Sequence, residues 1–401
     1  MPVGSIFANN DIYQLVRNVL NKYLCIQTNL MSDTMNRHLF SALVFPALLA
    51  AMPLVSCGPK GAPTQLTVCN PLPVKFGDPF LLHASDGKFY LYGTSLDDGF
   101  EAFVSSDLTE WTPCGQVYKG ADSASWNVSE FWAPEVYERD GRYYLFYSAS
   151  ARRQYTGDKE NFQIGVAVAD NPGGPFTDLH DGPLFASEYP VIDANVLFDE
   201  PSGKTYLYFS RCCSGHPVES EISAWAREEK LYDSIEESWI YGVELAPDFS
   251  GIVGEPRLLL APPQSMSDRQ AEWESRSVTA GEAGRRWTEG SYIFRHDSTY
   301  YMLYSANAYY GPHYAVGYAT SRSPLGPFEK YAGNPVLSSR GNVTCTGHNM
   351  VIEMPSGELY TVYHARMADD PAERVVMIDH ITIDSAGVLS VDGPTTAPYD
   401  L

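Results

Sequence analysis

The chain has 401 residues, enough for one large domain or two ordinary ones, and 44% of them are hydrophobic, so a sizeable core can form and general disorder is excluded. The formal net charge of −22 argues against nucleic acid or an anionic membrane surface as the main partner, since both reward basic patches; an uncharged ligand is compatible with it. The 27 tyrosines, 18 phenylalanines and 7 tryptophans suit a β-rich fold, in which flat side chains pack on pleated surfaces.

Residues 1–34 read as helical ("IYQLVRNVLNKYL") and precede what looks like a second start. At Met35 begins "MNRHLFSALVFPALLAAMPLVSCG": a positive start at Arg37 and His38, an apolar stretch from Leu39 to Leu54, then small residues. That order predicts a secretory signal over 35–56 and makes residues 1–34 an expected artefact of start assignment. An apolar core helix is the competing reading, opposed by Pro46, Pro53 and the Gly/Pro-rich "GPKGAPT" that follows. Leu54-Val55-Ser56-Cys57 resembles the lipobox of bacterial lipoproteins, in which the cysteine becomes the lipidated first residue. The expectation is a monomer at the cell envelope, periplasmic or at the cell surface, touching membrane only through a lipid on Cys57. Residues 57–70 read as a linker and 71–401 as the folded domain. None of the seven cysteines shows C-x-x-C spacing, so buried free thiols are expected rather than a zinc site.

From residue 71 one phrase recurs. "ASDGKFYLYGTS" ends at Ser95, "ERDGRYYLFYSAS" at Ser150, "DEPSGKTYLYFSR" at Arg211, "RHDSTYYMLYSAN" at Asn307 and "EMPSGELYTVYHAR" at Arg366. Each is an apolar or aromatic strand, a turn rich in Asp, Ser and Gly, and a second aromatic strand. A period of roughly 55 to 60 residues, with one longer gap, indicates blades, and four-stranded units repeated five times predict an all-β, five-bladed β-propeller. The longer gap contains "EISAWAREEKLYDSIEESWIYGVEL", the clearest helical candidate, inside an insertion between Cys213 and Arg285 whose vicinity holds Trp225, Trp239, Trp273 and Trp287.

Counting back about nine residues from each turn centre, as a repeat permits, gives Asp78, Trp132, Asp193, Glu289 and His348. The first strand of each blade lines the central channel, so these positions converge on the axis at one face. Hairpins do not need three carboxylates and a histidine there, and buried charges are costly unless paired or used. Taken singly, Asp78 reads equally well as a turn cap before Pro79, Asp193 as a strand-edge residue and Glu289 as a solvated one.

The phrases "GDPF" around Asp78, "FWAPEV" around Trp132, "VIDANVLFDE" around Asp193, "TEGSYIF" around Glu289 and "TGHNMVI" around His348 occur in that order. With them the chain resembles glycoside hydrolase family 43, five-bladed propeller enzymes that cleave arabinofuranosides and xylosides. The resemblance implies Asp78 as general base, Glu289 as general acid, and Asp193 as the carboxylate that raises and orients the acid. The chemistry agrees: inverting hydrolysis needs two carboxyl groups flanking the bond with room for a water, one protonated and one ionised. The resemblance requires no cofactor. For His348 it implies either a structural calcium or other ion nearby, or a channel histidine hydrogen-bonded to a catalytic carboxylate. It makes Trp132 an aromatic wall for the sugar and Arg374 a sugar contact, with core packing and a surface ion pair as the respective alternatives. Tyr309 and Tyr310 are expected to border the cleft. The family's usual Glu-Gly-Pro is Glu289-Gly290-Ser291 here, a loss of stiffness rather than of chemistry.

Fructan-cleaving propellers would show an "N-D-P" and an "E-C" phrase, and sialidases S-x-D-x-G-x-x-W boxes; neither pattern is present. A non-catalytic glycan-binding propeller lipoprotein is the rival from another class, and it would lack one of the three carboxylates. The expected substrate is a neutral oligosaccharide or polysaccharide, by terminal or side-chain α-L-arabinofuranosyl cleavage, with β-D-xylosyl linkages as the close second.

Overall fold

The computed structural model describes residues 67–152, 161–212 and 215–400. The expected leader, signal, Cys57 and most of the linker lie outside the described residues, as do Cys25 and Cys213. Strand β1 (Thr67–Val68), assigned above to the linker, pairs with the C-terminal strand β24 (Tyr399–Asp400).

Between them five four-stranded antiparallel sheets follow in chain order. The first is β2 (Gly77–His83), β3 (Phe89–Thr94), β4 (Gly99–Ser105) and β5 (Thr112–Lys119). The second is β6 (Asn127–Arg139), β7 (Arg142–Ala151), β8 (Phe162–Ala169) and β9 (Thr177–Asp178). The third opens with β10 (Val191–Asp199) and β11 (Lys204–Arg211), and then leaves the sheet. That excursion carries helix α1 (Glu221–Glu228) and strand β12 (Glu236–Glu237) before β13 (Trp239–Leu245) and β14 (Ile252–Leu260) complete the blade. A second excursion, with α2 (Ala271–Glu274), α3 (Arg276–Thr279) and β15 (Arg285–Arg286), leads to the fourth blade. That blade is β16 (Thr288–His296), β17 (Thr299–Ala306), β18 (Ala315–Ser321) and β19 (Glu329–Lys330). The fifth is β20 (Val343–Glu353), β21 (Leu359–Met367), β22 (Asp370–Ile383) and β23 (Leu389–Val391).

The innermost strands β2, β6, β10, β16 and β20 touch in a closed ring, which makes the five sheets the blades of a propeller as the repeat predicted. Apolar faces of neighbouring blades meet in the core; Leu207 and Val243 of blade 3, for example, pack with Ile164 and Val166 of blade 2. The N-terminal segment clasps the last blade: Asn70 Nδ2 donates to the Ile378 carbonyl at 2.7 Å, and the Ile378 N–H donates back to Asn70 Oδ1 at 2.9 Å.

Two expectations need correction. The presumed insertion is not one block, since β13 and β14 inside it belong to blade 3. Its helix covers only Glu221–Glu228: Ser220 and Ser223 form a capping box at its start, and Lys230 adopts a left-handed φ of +59° just past its end, where an α-helix cannot continue. Of the thiols, Cys345 is buried, but Cys114 is half-buried and Cys69 exposed.

Candidate active site

Every innermost strand carries a bulge at its entrance, and one residue in each bulge has a left-handed φ: Asp78 (+51°), Ala133 (+47°), Asp193 (+61°), Gly290 (+55°) and His348 (+50°). The residues just before them are Gly77, Trp132, Ile192, Glu289 and Gly347. Trp132 and Glu289 therefore stand one residue earlier than Asp78, Asp193 and His348, not at the equivalent position. The reason is turn length: blades 2 and 4 use two-residue hairpin turns, Asp140–Gly141 and Asp297–Ser298, whereas strands β2 and β20 run into longer ones. Counting from the turn centre then lands one residue short.

Glycines at the earlier position make room for other side chains. A Cβ on Gly77 would fall 1.8 Å from Arg374 Cζ, and one on Gly347 2.1 Å from the Tyr314 ring. Arg374 and Tyr314 thus fill the places that Trp132, Ile192 and Glu289 fill elsewhere in the ring.

All seven site residues predicted from the sequence line one pocket of about 530 Å³ at this end of the channel. Asp78 is held from several sides. Arg374 Nη1 donates to both of its oxygens, at 2.9 and 3.1 Å, and Thr94 Oγ1 donates to Oδ2 at 2.6 Å. His364 Nδ1 lies 3.2 Å and His348 Nδ1 3.4 Å from Oδ1. Burial pushes the Asp78 carboxyl up, but Arg374, then His348, overcome it and hold the group well below the ordinary carboxylate range. His364 is completely buried, which lowers it to about 4 and leaves it neutral, so its Nδ1 can accept the Asp78 N–H at 3.1 Å.

Glu289 is in the opposite environment. Burial, and then the nearby Asp193, raise it well above its usual value; the Tyr314 hydroxyl, donating to Oε1 at 2.9 Å, opposes them only in part. Burial raises Asp193 too, against the pull of His348. Its Oδ2 accepts the Gly290 N–H at 3.0 Å. A fixed backbone donor favours an ionised carboxylate, and Glu289 has burial and the neighbouring charge of Asp193 against ionisation.

Trp132 lines the pocket while stacking on Phe162, ring centroids 4.3 Å apart, so wall and packing roles coincide. Arg374 is no surface ion pair: it binds Asp78 and lies 5.4 Å from the Tyr309 ring. The His348 surroundings do not fit calcium, which takes six to eight oxygen ligands; His348 offers nitrogen, the Asp78 carboxylate 3.4 Å from it is already bound by Arg374 and Thr94, and Asp193 Oδ2 is taken by the Gly290 N–H. Among the described residues no group of three or more His, Cys, Asp or Glu is placed to hold a metal.

Sequence reasoning missed Tyr314, His364 and Thr94. A signal for two of them existed: near their ends the second strands of the repeated phrase carry Thr94, Ser148, Ser210, Ser305 and His364, one column of small hydroxyls broken by an imidazole. Of the four tryptophans around the presumed insertion, Trp287 alone lines the pocket; Trp273, for one, is buried against Tyr304.

Comparison with known proteins adds a family to this geometry. The profile of glycosyl hydrolases family 43 matches residues 69–389. A xylosidase/arabinosidase of Bacteroides ovatus is 25% identical over 311 residues, 71% of this chain and 84% of the relative. An extracellular endo-α-(1→5)-L-arabinanase of Bacillus subtilis is 23% identical over 427 residues, covering 90% of this chain and 78% of its own length. Among solved structures, a thermostable family-43 glycoside hydrolase superposes with a TM-score of 0.69 at 32% identity, covering 82% of this chain and 97% of the other.

Proposed function

Because the chain belongs to glycosyl hydrolase family 43 and is a glycosidase acting on O-glycosyl bonds, we propose that it cleaves α-L-arabinofuranosyl linkages of plant cell-wall glycans with inversion, using Asp78 as base and Glu289 as acid. The observation that carries this reading is the opposed electrostatics of two carboxyls in one pocket: Asp78 held ionised by Arg374, Glu289 held protonated by burial and Asp193. β-D-Xylosyl linkages are the second reading, favoured by the xylosidase/arabinosidase relative.

In this scheme water between Asp78 and the anomeric carbon gives a proton to Asp78 as its oxygen attacks. Glu289, on the other side, delivers its proton to the departing glycosidic oxygen, and the anomeric configuration inverts. Asp193 keeps Glu289 protonated until that moment. Arg374 keeps Asp78 charged and aimed. The segment 35–57 supports secretion and a lipid on Cys57, which would set this pocket at the cell envelope against neutral oligosaccharides or polysaccharides.

The test separates acid from base. A good leaving group departs without a proton, so Glu289→Ala should lose about a hundredfold or more on a natural oligosaccharide and far less on an activated nitrophenyl glycoside. Asp78→Ala should lose activity on both. Equal loss by Glu289→Ala on the two substrates would remove it from the acid role, and glycan binding without turnover by the wild type would favour a binding module.

A further inference from the structure

The two excursions from blade 3 are not independent loops. Strands β12 and β15 pair in parallel, Glu236 opposite Arg285 and Glu237 opposite Arg286, in a two-stranded ladder that belongs to no blade. Arg286 and Glu237 form a fully buried ion pair, and Arg286 also donates to the Pro263 carbonyl and, at 3.2 Å, to Ser275 Oγ. Ile222, Ala226, Ile235 and Val278 make a small core of their own beneath Trp225 and Tyr232. The result is a cap with its own packing and its own buried charge pair.

The cap is tied to the β17–β18 loop of blade 4. Asn307 Oδ1 accepts the Ser277 N–H at 2.8 Å, while its Nδ2 donates to the Trp273 carbonyl at 2.7 Å and to that of His313 at 3.0 Å. Glu282 Oε1 meets His313 Nδ1 at 2.5 Å. Beyond these ties the loop exposes two large aromatics, Tyr309 and Tyr310, at 40% and 51% of their surface. They stand edge to face, 5.3 Å apart, on the rim of the pocket. The cap contributes Trp287 to the same pocket, with the Arg285 guanidinium 5.3 Å from its ring. Two residues after Trp287 the chain reaches Glu289.

We propose that Trp287, Tyr309 and Tyr310 form a leaving-group subsite for a neutral sugar ring, held in place by the Glu282–His313 latch. This rests on Glu289 being the acid: the departing oxygen must lie at Glu289, so the sugar attached to it lies where the chain enters β16, on the cap side of the pocket. Aromatic faces offer the apolar faces of a sugar a rigid surface, and Arg285, ion-paired to Glu236 at 3.0 Å, braces the Trp287 ring from the side. Selectivity for what departs is therefore set by the cap and the loop it braces, while the propeller ring holds the sugar being released. Glu282 and His313 touch no substrate; they are positioning residues.

The experiment compares two substrates with the same glycone and equally poor leaving groups, α-1,5-arabinobiose and methyl α-L-arabinofuranoside, with xylobiose and methyl β-D-xyloside as the second pair. Trp287→Ala and Tyr310→Ala should each lower kcat/KM about tenfold on the disaccharide and less than about twofold on the methyl glycoside. His313→Ala should act on the disaccharide through KM, with kcat kept. Tyr310 is exposed enough for its variant to fold if Trp287→Ala does not. Equal losses on both members of a pair would overturn the proposal and leave the proposed function standing. No turnover of either pair by the wild-type protein would overturn both.

Discussion

The backbone N–H of Gly290 donates to Asp193 Oδ2 at 3.0 Å. In the other four blades the equivalent N–H meets a side chain on the second strand of the preceding blade: Ala133 to Thr94, Asp193 to Ser148, His348 to Ser305 and Asp78 to His364. The propeller thus has a ring of inter-blade hydrogen bonds, one per bulge, and blade 4 departs from it. There the acceptor is the Asp193 carboxylate, so a fold-closing bond also fixes the pair of carboxyls proposed above to hold the acid.

That pair can be moved in both directions. With Glu289 as the proposed acid, activity requires it protonated, and the fall of kcat/KM on the alkaline side reports its ionisation. Asp193→Asn removes a negative neighbour, lets Glu289 ionise more easily and should shift that limb to lower pH by about one unit. Tyr314→Phe removes a donor to the Glu289 carboxylate and should shift the same limb to higher pH. Opposite displacements in the two pH profiles check the assignment; shifts of one sign would contradict it.

Gly77→Ala acts on the proposed base, Asp78, through Arg374. The new Cβ would occupy the place of the Arg374 guanidinium, which must swing away from Asp78. Asp78 then loses the charge that keeps its pKa low, so the acidic limb of the profile should move to higher pH, with kcat lower by about a hundredfold. An unchanged acidic limb, measured on folded protein, would separate Arg374 from the ionisation of Asp78.

Cys57→Ser tests the expected anchor in the native host. Metabolic labelling with a fatty acid should mark the wild-type protein and not the variant, and the variant should move from the membrane fraction to the soluble one. Labelling of both would place the lipid elsewhere or remove it from the account.

The blades were legible because the hairpin phrase repeats with its turn chemistry intact, and the three carboxylates because their motifs sit at strand entrances. Their relative register was less so, since two-residue turns in blades 2 and 4 displace Trp132 and Glu289 by one position. His364 was hidden within the repeated phrase itself, as the odd member of a hydroxyl column. Tyr314 reaches Glu289 from the end of the β17–β18 loop, across a gap that exists only because residue 347 is glycine. The cap was misread because its ladder is two residues long on each side and parallel, too short to leave a period, and because tryptophans and acidic residues around α1 mimic a longer helix.

The stereochemistry of the first turnover tests the central claim most directly. Proton NMR of the sugar released from an α-L-arabinofuranoside, recorded before mutarotation, should show the β anomer first, because Asp78 activates a water that attacks once from the face opposite the leaving group. Initial release of the α anomer would mean two displacements and a covalent intermediate, and would contradict the assignment of Asp78 as base.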